Sequence, residues 1–345
     1  MPWQSDDWRK ILKSAIRDGA ELLRRLDIER DDIFVPDDIF VPDGSFVPDG
    51  TRVPREFSVL VPRTLLQRME HGNPDDPLLR QVLSTTDELV NPPEFVLDPL
   101  SERTQSPLPG LLHKYHGRVL LTLTGACPVH CRYCFRRHFS YPTHVDEVRR
   151  QALEYVARDE SISEVILSGG DPLMLSDAQL AAVLEGIARI DHVRRVRIHT
   201  RFPIAIPQRV TKELAAMLAR REQKPVVVIH ANHPNELDGD VALALDALHR
   251  AGCQLLNQSV LLAGVNEDPD VLVELSERLF DLHVLPYYLH LLDRVHGAAH
   301  FDVPESRASQ IHAELKRRLP GYLVPRLVRE SPGGDAKTEL PASLV

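Results

Sequence analysis

From Arg118 onward the chain alternates short apolar runs with longer amphipathic segments, and this alternation limits the available folds more than any other feature. The apolar runs are VLLTLT (119–124), EVILSG (164–169), VRRVRIHT (193–200), VVVIHA (226–231), CQLLNQSVLL (253–262) and HVLPYYLH (283–290). Between several of them lie DAQLAAVLEGIARI (177–190), TKELAAMLARR (211–221) and DVALALDALHRAG (240–252), whose apolar residues recur at helical spacing. Strands separated by helices imply βα units around a parallel sheet, because parallel neighbours need a crossover connection. Six units fall short of the eight in a closed barrel, and pattern alone leaves a doubly wound sheet open. In either architecture the chemistry is expected at the C-terminal ends of the strands.

The sequence before this region is of another kind. Trp8, Ile11, Leu12, Ala15, Ile16, Leu22, Leu23 and Leu26 predict one amphipathic helix from Asp6 to Leu26, within residues 1–32. Residues 33–56 read IFVPDD, IFVPDG, SFVPDG, TRVPRE, with prolines at 36, 42, 48 and 54. Proline lacks a backbone donor and holds the preceding residue extended, so this insert is predicted to be turn-rich rather than helical. Residues 57–110 read as helical and loop-rich, 111–322 as the βα region and 323–345 as a C-terminal segment. The net charge of −9 with no basic stripe argues against a nucleic-acid surface. No run of eighteen apolar residues suggests a membrane span, and MPWQSDDWRK has no apolar signal region, so a cytoplasmic location is expected.

After the first apolar run comes CPVHCRYCFRRHF, with Cys127, Cys131 and Cys134 inside eight residues. A structural zinc site takes four ligands, usually as two separated pairs, and the fourth cysteine, Cys253, is more than a hundred residues away in an apolar stretch. Three thiolates can instead hold three corners of a four-iron cluster and leave one iron open. Zinc and a buried thiol group remain alternatives. Four cysteines in a chain of 345 residues do not form a disulfide framework and fit a reducing compartment.

The C-x-x-x-C-x-x-C spacing with an aromatic before the third cysteine resembles the radical S-adenosylmethionine superfamily. The resemblance implies an open (βα)6 partial TIM barrel, a [4Fe–4S] cluster on Cys127, Cys131 and Cys134, and S-adenosylmethionine on the open iron. In SGGDP, after the second run, Ser168, Gly169, Gly170 and Asp171 match the motif used against the amino group of that cofactor. His199, Arg201 and His230, at the ends of the third and fourth runs, are further candidate cofactor contacts.

CRYCFRRHF, LSGGDPL, HTRFPIAIPQR, HPNE, LNQSVLLAGVN and a glycine-containing end before Lys-Thr narrow the resemblance to the lysine 2,3-aminomutase family. That family also uses pyridoxal phosphate. Lys337, in SPGGDAKTEL, matches the lysine that carries this cofactor as a Schiff base. Arg118, Asn257 and Gln258 match the phosphate-holding side, and Tyr115 a residue near the pyridine ring. Arg136 matches the grip on the substrate α-carboxylate, while Asp293 and Glu330 take the places of the pair that meets the distal ammonium of lysine. The PGG turn is expected to fold the tail back, and a desolvated pocket to keep the Lys337 amine unprotonated.

Two departures refine this expectation. LAGVNEDPD lacks the cysteine that catabolic aminomutases use for a structural zinc, and the chain ends eight residues after Lys337. These features and Glu330 resemble the bacterial branch that supplies β-lysine for modifying translation elongation factor P. The expected partners are free L-lysine, an electron donor of flavodoxin or ferredoxin type and, functionally, the β-lysyl ligase of that pathway. A homo-oligomer is compatible with the chain. The alternatives are a catabolic lysine or glutamate aminomutase, or a non-catalytic metal-binding protein.

Overall fold

In the computed structural model, residues 7–30, 57–141, 145–220, 223 and 225–340 are described, so the hexapeptide insert lies outside the described residues. One sheet of nine strands runs in sequence order: β1 (Leu111–Tyr115), β2 (Arg118–Thr122), β3 (Glu164–Ser168), β4 (Arg195–Thr200), β5 (Pro225–Ile229), β6 (Gln254–Val260), β7 (Val284–His290), β8 (Arg326–Arg329) and β9 (Thr338–Glu339). Strands β2 to β8 are parallel, and β1 and β9 add antiparallel edges. The sheet does not close on itself, which makes the region a partial TIM barrel, as expected.

Local chemistry explains the elements. EVILS in β3 is buried at every position, as a parallel strand covered on both faces must be. Ser176 and Gln179 form a reciprocal capping box at the start of the helix Asp177–Ala188, and Thr211, Asp238 and Asp268 cap the helices that begin at Lys212, Gly239 and Pro269. Leu180, Val183, Leu184 and Ile187 from the first of these helices join Val165, Leu167, Val196 and Ile198 from the strands in one continuous core.

The structure corrects two expectations. The N-terminal segment is two helices, Trp8–Lys13 and Gly19–Arg25, capped by Asp7 and Asp18. Between them Ile16 exchanges two backbone hydrogen bonds of 2.9 Å with Val61, so the chain is extended there and the apolar spacing spans a break. Strands β1, β8 and β9, absent from the six-run reading, complete the sheet; the His116–Gly117 turn, with Gly117 at φ 74°, makes β1 and β2 a hairpin. Pro286 within β7 has no N–H to donate, and the β6–β7 register shifts between Asn257 and Gln258, opposite it.

Candidate active site

The cysteine loop leaves β2 and is joined to the loop after β3 by backbone bonds. Leu123 donates to Ser168, Gly170 to Thr124 at 2.7 Å and Asp171 to Ala126 at 2.8 Å. A Cβ on Gly169, at φ 113°, would fall 2.7 Å from the Thr124 carbonyl oxygen, and one on Gly170 would fall 2.3 Å from that of Ala126. The two glycines are therefore needed for the loops to touch. The Asp171 carboxylate accepts from the Thr200 hydroxyl at 2.9 Å and from the backbone of Arg201 and Leu173, so its oxygens fasten this loop to the end of β4.

Cys127, Cys131 and Cys134 lie together on the loop. Burial, and then the neighbouring Asp171 and the other two thiols, push Cys127 well above the ordinary thiol range, while burial and Cys131 push Cys134 up to about 11. Such thiols become thiolates only when a cationic group shares the site. Among the described residues no three His, Cys, Asp or Glu side chains converge closely enough to hold a single metal ion. Three thiols on one loop form the all-sulfur donor set that a [4Fe–4S] cluster takes. Cys253 is buried in the core just before β6, at the opposite ends of the strands.

The aromatic of the motif and its arginines anchor this loop. Tyr133 is buried, its hydroxyl bonded to Arg201, to His230 Nε2 at 2.9 Å and to Asn232 Nδ2 at 2.7 Å. Arg201 also donates to Cys131 Sγ at 3.1 Å and pairs with the fully buried Glu236, also at 3.1 Å. Arg132 and Arg137 both grip Glu88, and all three side chains are 0% exposed. Arg136 turns elsewhere: its Nε and Nη2 donate to Glu102 at 2.8 and 2.6 Å, and its Nη1 to Ser168 Oγ at 3.1 Å.

Across the open side of the barrel, β1 reaches the segment after β8. Lys114 Nζ donates to Glu330 Oε1 at 3.0 Å and to the Ser331 carbonyl at 3.2 Å, and the Tyr115 hydroxyl donates to the same carboxylate oxygen at 2.9 Å. Gly333, at φ 71°, turns the chain back after Ser331, so that β9 pairs with β8 and Lys337 Nζ bonds to Glu330 Oε2. The folded-back tail matches the expectation. The Lys337 side chain is 20% exposed and lies among charges, paired with Glu330, with Nζ 5.7 Å above the Tyr288 ring. Lys337 and Lys114 hold Glu330 well below the ordinary carboxylate range despite its burial.

Asp293, half-buried just beyond β7, belongs to the same group of charges. Burial and the adjacent Glu330 push it up to about 7, against the pull of Lys337. His199, at the end of β4, and His290, at the end of β7, each keep a buried Nε2 without a hydrogen-bond partner. Burial holds His199 well below the ordinary histidine range and lowers His290 to about 3, with Lys337 acting in the same direction on both. Two neutral imidazoles with unpaired nitrogens, beside a lysine amine and the Tyr288 ring, suit an aromatic cofactor that brings its own polar groups.

Other sequence candidates are placed differently. Asn257 spends its amide on the Ala231 backbone and Ser259, Gln258 points to the other face of β6 by alternation, and the Arg118 guanidinium lies 4.6 Å above the Tyr115 ring. His233 caps the short turn Pro234–Glu236. Glu88, Glu102, Lys114 and His290 were not expected. Position offered a signal only for His290, the last residue of its apolar run, and for Lys114, beside Tyr115; the two glutamates lie in a connecting region with no motif around them.

A family model of the radical SAM superfamily matches residues 121–276. The L-lysine 2,3-aminomutase of Escherichia coli K12 is 47% identical over 341 residues, covering 98% of this chain and 96% of that protein. The L-lysine 2,3-aminomutase of Haemophilus influenzae is 43% identical over 337 residues, covering 97% and 96%. That of Clostridium subterminale is 39% identical over 277 residues, covering 79% and 66%. With the three-thiol loop at the mouth of a partial TIM barrel and two of these relatives similar over almost their whole length, the chain belongs to the radical SAM lysine 2,3-aminomutase family.

Proposed function

We propose that this protein moves the α-amino group of L-lysine to the β carbon. The observation that carries this reading is the convergence of Asp293 and Glu330 with Lys337, while Arg136 stands at the cysteine-loop end of the site. A substrate with a carboxylate at one end and an ammonium at the other suits that layout, whereas glutamate would bring a second carboxylate toward two acids. When bound, the cluster and S-adenosylmethionine supply hydrogen-atom abstraction, and pyridoxal phosphate supplies covalent attachment and delocalisation during the amino shift.

The chain's own residues bind and orient. Cys127, Cys131 and Cys134 would hold the cluster, with Arg201 donating to Cys131. Lys337 offers the amine for pyridoxal phosphate, and Glu330 receives that amine when it is free. Arg136 grips the α-carboxylate and Asp293 meets the distal ammonium. His199 and His290 present neutral ring nitrogens to the cofactor, and Tyr288 a ring face.

A one-electron donor of flavodoxin or ferredoxin type would reduce the cluster. Glu330 and the cysteine-free LAGVNEDPD segment support assigning the product to the modification of translation elongation factor P. Anaerobic reconstitution with iron, sulfide, both organic cofactors and isotopically labelled lysine should yield β-lysine by NMR. Turnover of glutamate in preference to lysine, or zinc bound without iron, would sink the proposal. Unchanged mass of elongation factor P in cells lacking the gene would reject the pathway assignment alone.

A further inference from the structure

Glu102 has no part in the reading above, yet the chain goes to some length to deliver it. Ser101 adopts φ 53°, ψ 37°, a left-handed conformation unfavourable for a residue with a Cβ. The Asp98 carboxylate holds the following turn by accepting from the backbone of Glu102 at 3.0 Å and of Arg103 at 3.3 Å. The turn puts the Glu102 carboxylate against Arg136 as a two-point pair, with both side chains about nine-tenths buried. Phe135 and Phe139 flank the guanidinium, with centroids 4.8 and 6.0 Å away.

A guanidinium has two edges that fit a carboxylate, one through Nε and Nη2 and the other through Nη1 and Nη2. Glu102 takes the first. We infer that Glu102 is a positioning residue for substrate recognition: it fixes the plane of Arg136 so that the α-carboxylate of the amino acid docks on the Nη1–Nη2 edge, beside Ser168. This deepens the proposed function and rests on the assignment of Arg136 to the carboxylate. Since the pair is close to neutral, directed hydrogen bonds rather than net charge select the substrate's end group. The competing possibility is that Glu102 occupies the carboxylate's own seat and is displaced.

The two are separated with holoenzyme carrying Glu102→Gln or Glu102→Asp. Expected for Glu102→Gln is a KM for lysine raised about tenfold or more, with kcat changed far less. Glu102→Asp should recover part of the loss. The inhibition constant of 1,5-diaminopentane, which has both amines of lysine and no carboxylate, should stay near wild type in both variants. A KM that falls in Glu102→Gln would show that the glutamate blocks the seat, and an unchanged KM would remove it from recognition. Equal weakening of lysine and diaminopentane would show general damage to the pocket and also overturn the inference. Should Glu102→Gln not fold, as read by its melting curve, Glu102→Asp carries the same comparison. Arg136→Lys serves as the control: unchanged lysine KM there would overturn the carboxylate assignment itself, whereas a raised KM there with normal Glu102 variants would overturn only the positioning role.

Discussion

Asp293 is expected to make the enzyme's affinity for lysine depend on pH, and replacing it should stabilise the ligand-free protein at pH values where this carboxyl would be ionised. Its ionisation is raised from 3.8 to about 7 by burial and by Glu330. The unfolded chain ionises this carboxyl near 4, whereas the folded protein resists ionisation until about 7. The charge therefore costs stability progressively from about pH 4 upward, and in full above about pH 7, by at most about 4 kcal/mol. Asp293→Asn should raise the melting temperature of the ligand-free protein at pH 8 and leave it almost unchanged at pH 4. Lysine binding should move the opposite way. The distal ammonium needs the ionised carboxylate, so kcat/KM for lysine should climb as pH rises toward about 7, up to about tenfold per pH unit, and then level. A half-made ion pair in a desolvated pocket costs on the order of 3 kcal/mol, which predicts a KM about a hundredfold higher for Asp293→Asn at pH 8. The assay is β-lysine formation under anaerobic conditions at pH 6 to 9, with calorimetry on the ligand-free protein. Persistence of the same pH limb in Asp293→Asn, or unchanged lysine kinetics, would refute the placement of this carboxylate against the substrate.

Replacing Cys127, Cys131 or Cys134 with Ala should remove most bound iron, measured by absorbance and metal analysis, while Cys253→Ala should lower only the melting temperature because its thiol lies in the core. Lys337→Ala should lose the borohydride-reducible cofactor linkage and keep the cluster; a residual linkage that disappears in the Lys114→Ala, Lys337→Ala double variant would identify Lys114, whose amine bonds to the same carboxylate. Glu88→Gln leaves two buried guanidiniums without a counter-charge, so a loss of about 3 to 5 kcal/mol is expected in chemical denaturation. A loss below about 1 kcal/mol would mean that water reaches the pair.

What could be read along the chain was whatever is local or periodic. The six apolar runs that became β2 to β7 were legible because each strand turns at least one apolar face to the helices, fully buried in β3 and alternating in β4 and β6, and the intervening helices keep their own 3.6-residue period. The three cysteines were legible because their ligand geometry fits within eight residues. The PGG turn was legible because glycine tolerates the left-handed conformation found at Gly333. The N-terminal segment misled because two short helices and an extended residue between them can share one apolar face. Strands β1 and β8 are short and half polar, β9 is two exposed polar residues, and all three exist as strands because a neighbour satisfies their backbone groups. Only the tertiary structure brought Lys114 and Tyr115 to Glu330, more than two hundred residues later, and matched Glu88 and Glu102 to particular arginines of one motif. An ion pair needs one acid and one base at the right point in space, and nothing in their spacing along the chain records that point; burial removes the water that would otherwise let any acid serve, so the fold decides which charge meets which.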